Sequence, residues 1–154
     1  MSGGAEEPKW LSLADVLAGH EMVMKEHGGQ GGLIKPDELD SALARAKNLW
    51  LYRRASIFEL ASAYAKGITQ NHPFNDGNKR ASLMAAATFL RINGHKLRAS
   101  QAEAVLMTEG LASGEVNEEG YGRWLKANAP KLEQHRERAR SRAPKKKREQ
   151  DLGM

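Results

Sequence analysis

Apolar residues recur at helical spacing along most of the chain. Leu13, Val16, Leu17, His20 and Met24 share one face, and Ser12 and Asp15 ahead of them read as a capping box. This pattern predicts a helix that stops at Gly28-Gly29. Pro36, a good first helical residue, is followed by Asp37 and Glu38 and then by a stripe of Leu39, Ala42, Leu43 and Ala46. Ser56 and Glu59 form a second box before Leu60, Ala61, Tyr64, Ala65 and Ile68. Pro73 disfavours helical backbone at His72, so this third helix is expected to end there. A fourth is expected to begin near Gly77 or Asn78 and to stop at Asn93-Gly94. Ser100 and Glu103 predict a third box and a helix to about Ala112, and Asn117 with Glu118 and Glu119 a sixth helix that ends before Pro130.

No segment alternates apolar and polar as a half-buried strand does. Only residues 47–54 leave room for a short extended or hairpin piece. Residues 81–90 carry no charge, and Leu83, Met84, Ala85, Ala86, Ala87, Phe89 and Leu90 face all round the helix, which marks it as the buried centre. The fold class is therefore all-α, a compact bundle of about six helices around one buried central helix. Residues 1–10 read as a flexible N-terminus, 11–130 as the folded domain and 131–154 as a charged tail, disordered or a solvated helix.

The net charge of +5 changes meaning once it is located. From Lys131 onward nine Lys and Arg face four acids, which leaves fifteen of each sign in residues 1–130. The body is neutral and does not read as a nucleic-acid-binding domain; the tail allows at most weak nucleic-acid contact. With no cysteine, disulfides and Cys-ligated metals are excluded. No secretory leader and no membrane segment are expected, so a cytoplasmic location is.

The chemistry concentrates in His72-Pro73-Phe74-Asn75-Asp76-Gly77-Asn78-Lys79-Arg80. The fourth helix starts inside this stretch, and its first N–H groups lack intrahelical acceptors, so they form an anion cradle. Gly77 lets a ligand approach the backbone, and Lys79 and Arg80 add charge at the mouth. Asn78 suits a phosphate or the loop itself. Asp76 can cap the helix or, beside a polyphosphate, hold Mg²⁺. His72 can take a proton from an attacking hydroxyl, while Pro73 and Phe74 fix the loop. Taken singly, each residue has a plainer role as cap, loop histidine or surface cation. Together, at the start of the charge-free helix, they point to phosphoryl-type transfer.

These nine residues resemble the signature of the Fic/Doc family, specifically its Doc (death-on-curing) toxin branch. The resemblance extends to Asp37-Glu38-Leu39, to Phe58-Glu59-Leu60 and to Phe89-Leu90 with Asn93-Gly94, and covers roughly residues 13–124. AMP-transferring Fic proteins typically read His-x-Phe-x-(Asp/Glu)-Gly-Asn-Gly-Arg-x-x-Arg. Here Lys79 stands at the second Gly position and Leu83 at the last Arg position. The resemblance implies transfer of the γ-phosphate of ATP to a Ser/Thr hydroxyl of a protein, with EF-Tu as target and translation stopped. Carried over by position, His72 is the base and Asp76 the Mg²⁺ carboxylate, while Gly77, Asn78, Lys79 and Arg80 hold phosphates. It also implies a Phd-like antitoxin acting in trans, since no (Ser/Thr)-x-x-x-Glu-(Gly/Asn) string is present. The alternatives are a Fic-type AMP-transferase and, in another class, an inactive binding module acting through its basic tail. His20, on the apolar stripe, reads as a core histidine or one supporting the site from behind; Trp10, Trp50 and Trp124 read as packing anchors.

Overall fold

The computed structural model describes residues 6–29 and 32–133. The charged tail expected from the sequence lies outside them, apart from residues 131–133. Six helices make up the described chain: α1 Leu13–His27, α2 Pro36–Arg53, α3 Ile57–Asn71, α4 Asn78–Ile92, α5 Gln101–Ser113 and α6 Glu118–Asn128. The only strand-like pairings among the described residues are two isolated bridges, Leu33 with Phe74 and His95 with Lys131. The all-α architecture is as expected.

The caps explain most helix starts. At Ser12 and at Ser56 both halves of the box are made, each hydroxyl accepting the N–H three residues on and each acid returning to the cap N–H. At Ser100 only the hydroxyl half forms, with the Glu103 N–H. Glu59 is the best-held acid of the three. Burial pushes its pKa up, but the Ser56 N–H and the Arg53 guanidinium outweigh that and leave it lowered.

Two expectations change. Residues 47–54 form no hairpin, because α2 continues through Arg53. Trp50 lies one turn beyond Ala46 on the same buried stripe, and burying that ring extends the helix. The centre of the bundle is also α3 rather than α4, whose uncharged stretch covers residues 81–90. Helix α3 packs on α2, α4, α5 and α6, and nine of its residues are buried. Its small residues permit this. A Cβ at Gly67 would stand 2.9 Å from the Ala42 Cα, so glycine lets α2 and α3 approach backbone to backbone. Tyr64 and Phe89, with ring centres 5.0 Å apart, fill the core between α3 and α4.

Of the N-terminal residues, Lys9 exchanges two hydrogen bonds with the Asn93 side chain, its N–H donating and its carbonyl accepting. Trp10 packs beside Phe89, and Leu11 is buried with its N–H on the Tyr64 hydroxyl. These contacts secure the end of α4 far from the motif. Its start is left to be positioned by α3 and α1.

Candidate active site

Residues 72–77 form the turn between α3 and α4, and neighbouring segments hold it at both ends. The Pro73 carbonyl accepts the N–H groups of Ile34 (2.9 Å) and Lys35 (3.0 Å), and the Asn75 N–H donates to the Gly32 carbonyl at 3.0 Å. Pro73 and Phe74 are buried, as a plug under the loop should be. The Asn78 side chain clamps the turn from within. Its Oδ1 accepts the Phe74 N–H and its Nδ2 donates to the Phe74 carbonyl, both at 3.0 Å. The Asn78 amide is therefore occupied in shaping the loop, and its contribution toward the cleft is the backbone N–H at the helix start.

His72 caps α3 in the left-handed region (φ 49°, ψ 58°), which is uncommon for a side-chain-bearing residue. Its N–H completes the last turn on the Ile68 carbonyl, and its ring is exposed toward the cleft. His72 Nδ1 stands 3.4 Å from Asn78 Nδ2, too long to fix a tautomer, and Nε2 has no hydrogen-bond partner among the described residues.

The start of α4 breaks the electrostatic rule that its neighbours keep. Helices α1, α2, α3, α5 and α6 each carry an acid in the first turn, where the positive end of the helix dipole favours it. Helix α4 has none, and places Lys79 and Arg80 there instead. Each cation costs about 0.3–1 kcal/mol at that position, a cost that a bound anion would reverse. No side chain caps α4, whose N-cap is Gly77 at φ 77°.

These groups share one open cleft of about 520 Å³. His72, Asp76, Gly77, Asn78, Lys79 and Arg80 line one side. Leu83, one turn further along α4, extends that wall, and Val105, Thr108 and Glu109 of α5 close the other. The α5 wall was not legible from the motif, since it lies thirty residues downstream with no signal of its own. Thr108 is not free to act, because its hydroxyl bonds the Tyr121 hydroxyl at 2.9 Å in the core.

Residues 10–90 match the family model described as the Fic/DOC family. A relative named protein kinase doc, from Escherichia phage P1, is 31% identical over 108 residues, covering 70% of this chain and 85% of that protein. The chain belongs to the Fic/Doc family. A second relative, named toxin Doc, from Mycolicibacterium smegmatis, is 32% identical over 93 residues, which is 58% of this chain and 63% of that protein. Both names place the chain on the Doc branch of the Fic/Doc family, as the motif indicated.

Among the described residues no group of three or more His, Asp and Glu could hold a metal by itself. Asp76 offers one exposed carboxylate, with Oδ1 on the Gly77 N–H at 2.8 Å. One carboxylate beside a phosphate cradle suits Mg²⁺, which completes its shell with phosphate oxygens and water. His20, buried on α1, meets this loop from behind. Its ring stacks on Phe74 (centres 3.7 Å apart, 8° between planes), and its Nε2 lies 2.8 Å from the Asp76 carbonyl oxygen.

Proposed function

We propose that this chain is a Doc-type protein phosphotransferase that moves the γ-phosphate of ATP to a Ser or Thr hydroxyl. The observation that carries the reading is the cleft itself. In it a histidine whose Nε2 has no partner among the described residues and a carboxylate face a helix start that carries two cations and no acid. The name of the phage P1 relative, a protein kinase, supports the same chemistry.

In this reading the first N–H groups of α4, with Lys79 and Arg80, bind the phosphates and neutralise their charge. Magnesium, held by Asp76 and phosphate oxygens, would supply further neutralisation. The acceptor hydroxyl lies beside His72. Its oxygen forms the new bond to the γ-phosphorus, its proton passes to His72 Nε2, and the bond to the bridging oxygen breaks as ADP leaves. Relative to a Gly and an Arg, Lys79 crowds the cradle and Leu83 removes a cationic clamp one turn further on, which favours a nucleotide seated for γ-transfer.

The biological reading follows the family resemblance of the motif and the name of the second relative, a toxin. The chain acts as the toxin of a toxin–antitoxin pair, with EF-Tu as the first acceptor to test and a Phd-like antitoxin as its inhibitor in trans. No helix among the described residues is long and apolar enough to cross a membrane. The deciding experiment incubates the purified protein with Mg²⁺, EF-Tu and ATP labelled at either the γ or the α phosphate. Label arriving from the γ position is expected. Label arriving only from the α position would establish AMP transfer instead, and no transfer with either would leave a binding role through the tail.

A further inference from the structure

His20 is buried to 4% exposure on α1, fifty-six residues from the loop it touches. A carbonyl oxygen can only accept, so the 2.8 Å contact with Asp76 requires a hydrogen on His20 Nε2. The peptide joining Asp76 to Gly77 is trans, as are the rest, so its C=O and N–H point in opposite directions. Turning that carbonyl inward to α1 therefore turns the Gly77 N–H outward. There it meets the carboxylate of Asp76, one of the residues that line the cleft, at 2.8 Å. Gly77 holds φ 77°, and a Cβ on it would fall 2.6 Å from Met24 Sδ and 3.3 Å from His20 Nε2. Helix α1 thus presses on this one peptide through two residues a turn apart. Because Gly77 has no side chain to resist, a flip of this peptide has little local opposition. A flipped peptide would withdraw that N–H from the carboxylate and aim a carbonyl dipole at any anion in the cradle.

We propose that His20 is a positioning residue: its Nε2–H fixes the Asp76–Gly77 peptide so that the Gly77 N–H faces outward and holds the Asp76 carboxylate beside the phosphate cradle. The role rests on the phosphotransfer reading for its purpose, but the peptide orientation can be measured without it. Two substitutions separate the hydrogen bond from the ring stack. His20→Phe keeps an aromatic ring on Phe74 and removes the donor. His20→Gln keeps a donor of similar reach and removes the ring.

The test uses the full chain, labelled with ¹⁵N and ¹³C, and reads the Asp76 and Gly77 backbone shifts before and during titration with Mg²⁺ and a non-hydrolysable ATP analogue. The expected result is that His20→Phe melts as a folded protein, shifts or doubles the Gly77 resonance and binds the analogue about tenfold more weakly or worse. His20→Gln should restore the Gly77 shift and most of the affinity. An unchanged Gly77 shift in His20→Phe, with affinity within about twofold of wild type, would overturn the proposal. So would equal losses in both variants, because the ring stack would then be the whole effect. If neither variant folds, ring ¹⁵N spectra of the wild type decide. Nε2 must carry the hydrogen, and an Nδ1–H ring would sink the assignment. Failure of the wild type to bind the analogue would count against the phosphotransfer reading, while the Gly77 comparison would still judge His20.

Discussion

Two joints in this bundle begin in the same way and end differently. Both α2 and α3 terminate on a side-chain-bearing residue in the left-handed region, Arg54 (φ 51°) and His72 (φ 49°), the two non-glycine residues with positive φ among those described. At the α2–α3 joint the strain is answered locally. Arg54 reaches back to the Trp50 carbonyl at 3.0 Å and lies 5.0 Å over the Trp50 ring, and the Ser56–Glu59 box opens α3 at once. At the α3–α4 joint, among the described residues, the His72 ring makes only a 3.4 Å approach to Asn78, no side chain caps α4, and cations stand where acids belong. A strained helix end whose side chain stabilises it is architecture. One whose side chain is left open to a cleft, beside an uncapped and wrongly charged helix start, is a site for chemistry.

The largest effects should separate the joints by activity. His72→Ala is expected to lower phosphate transfer by about 10²–10⁴-fold, the usual range for a general base, with little change in melting temperature. Arg54→Ala should leave transfer intact and lose about 1 kcal/mol of stability as its ring contact and back-bond go. Transfer assays beside thermal melts read both, and a His72→Ala protein with normal activity would dissolve the contrast. Next comes Lys79→Glu. Restoring an acid to the first turn of α4 should stabilise the protein by about 1 kcal/mol and weaken nucleotide binding by about tenfold or more. Calorimetric binding with a denaturant series would expose a change of one without the other.

How far the two joints were legible in sequence differs for physical reasons. The α3–α4 turn was readable because its chemistry is local. Pro73 ends a helix, Gly77 permits a turn, and the charged residues follow within three positions. The Ser56 box was readable for the same reason. The length of α2 was not. Its end is set by Trp50 finding a buried place and by an arginine in a conformation usually given to glycine, and neither leaves a mark in the local pattern. The central place of α3 was hidden by its small residues, since close approach at Gly67 depends on which helix lies opposite. The α5 wall and the His20 contact span thirty to fifty-six residues and are products of the fold. Periodicity had put His20 inside without saying what it would touch there.

A smaller effect tests the architectural joint alone. Ser56→Ala removes the hydroxyl that accepts the Glu59 N–H, which should cost about 1 kcal/mol in denaturant unfolding and leave transfer unchanged. A loss of activity there would show that α3 transmits its start to its end, and the joints could not be treated separately.

The smallest effect is the sharpest comparison, because it asks the two left-handed residues the same question. Glycine relieves a positive φ but loosens the unfolded chain, so the net gain is at most about 0.5–1 kcal/mol where no side-chain contact is lost. His72→Gly gives up only the long approach to Asn78 and should stabilise the protein by about 0.5 kcal/mol while removing its activity. Arg54→Gly gives up the Trp50 ring and carbonyl contacts, so its gain is offset and its stability should fall by about 0.5 kcal/mol. The informative quantity is the difference, about 1 kcal/mol between two substitutions at matched backbone angles. If it is found, the strain at His72 persists uncompensated in the fold and is explained by what the imidazole does in the cleft. If the two variants shift stability equally, His72 has structural support that its contacts do not reveal, and its left-handed backbone ceases to be an argument for function.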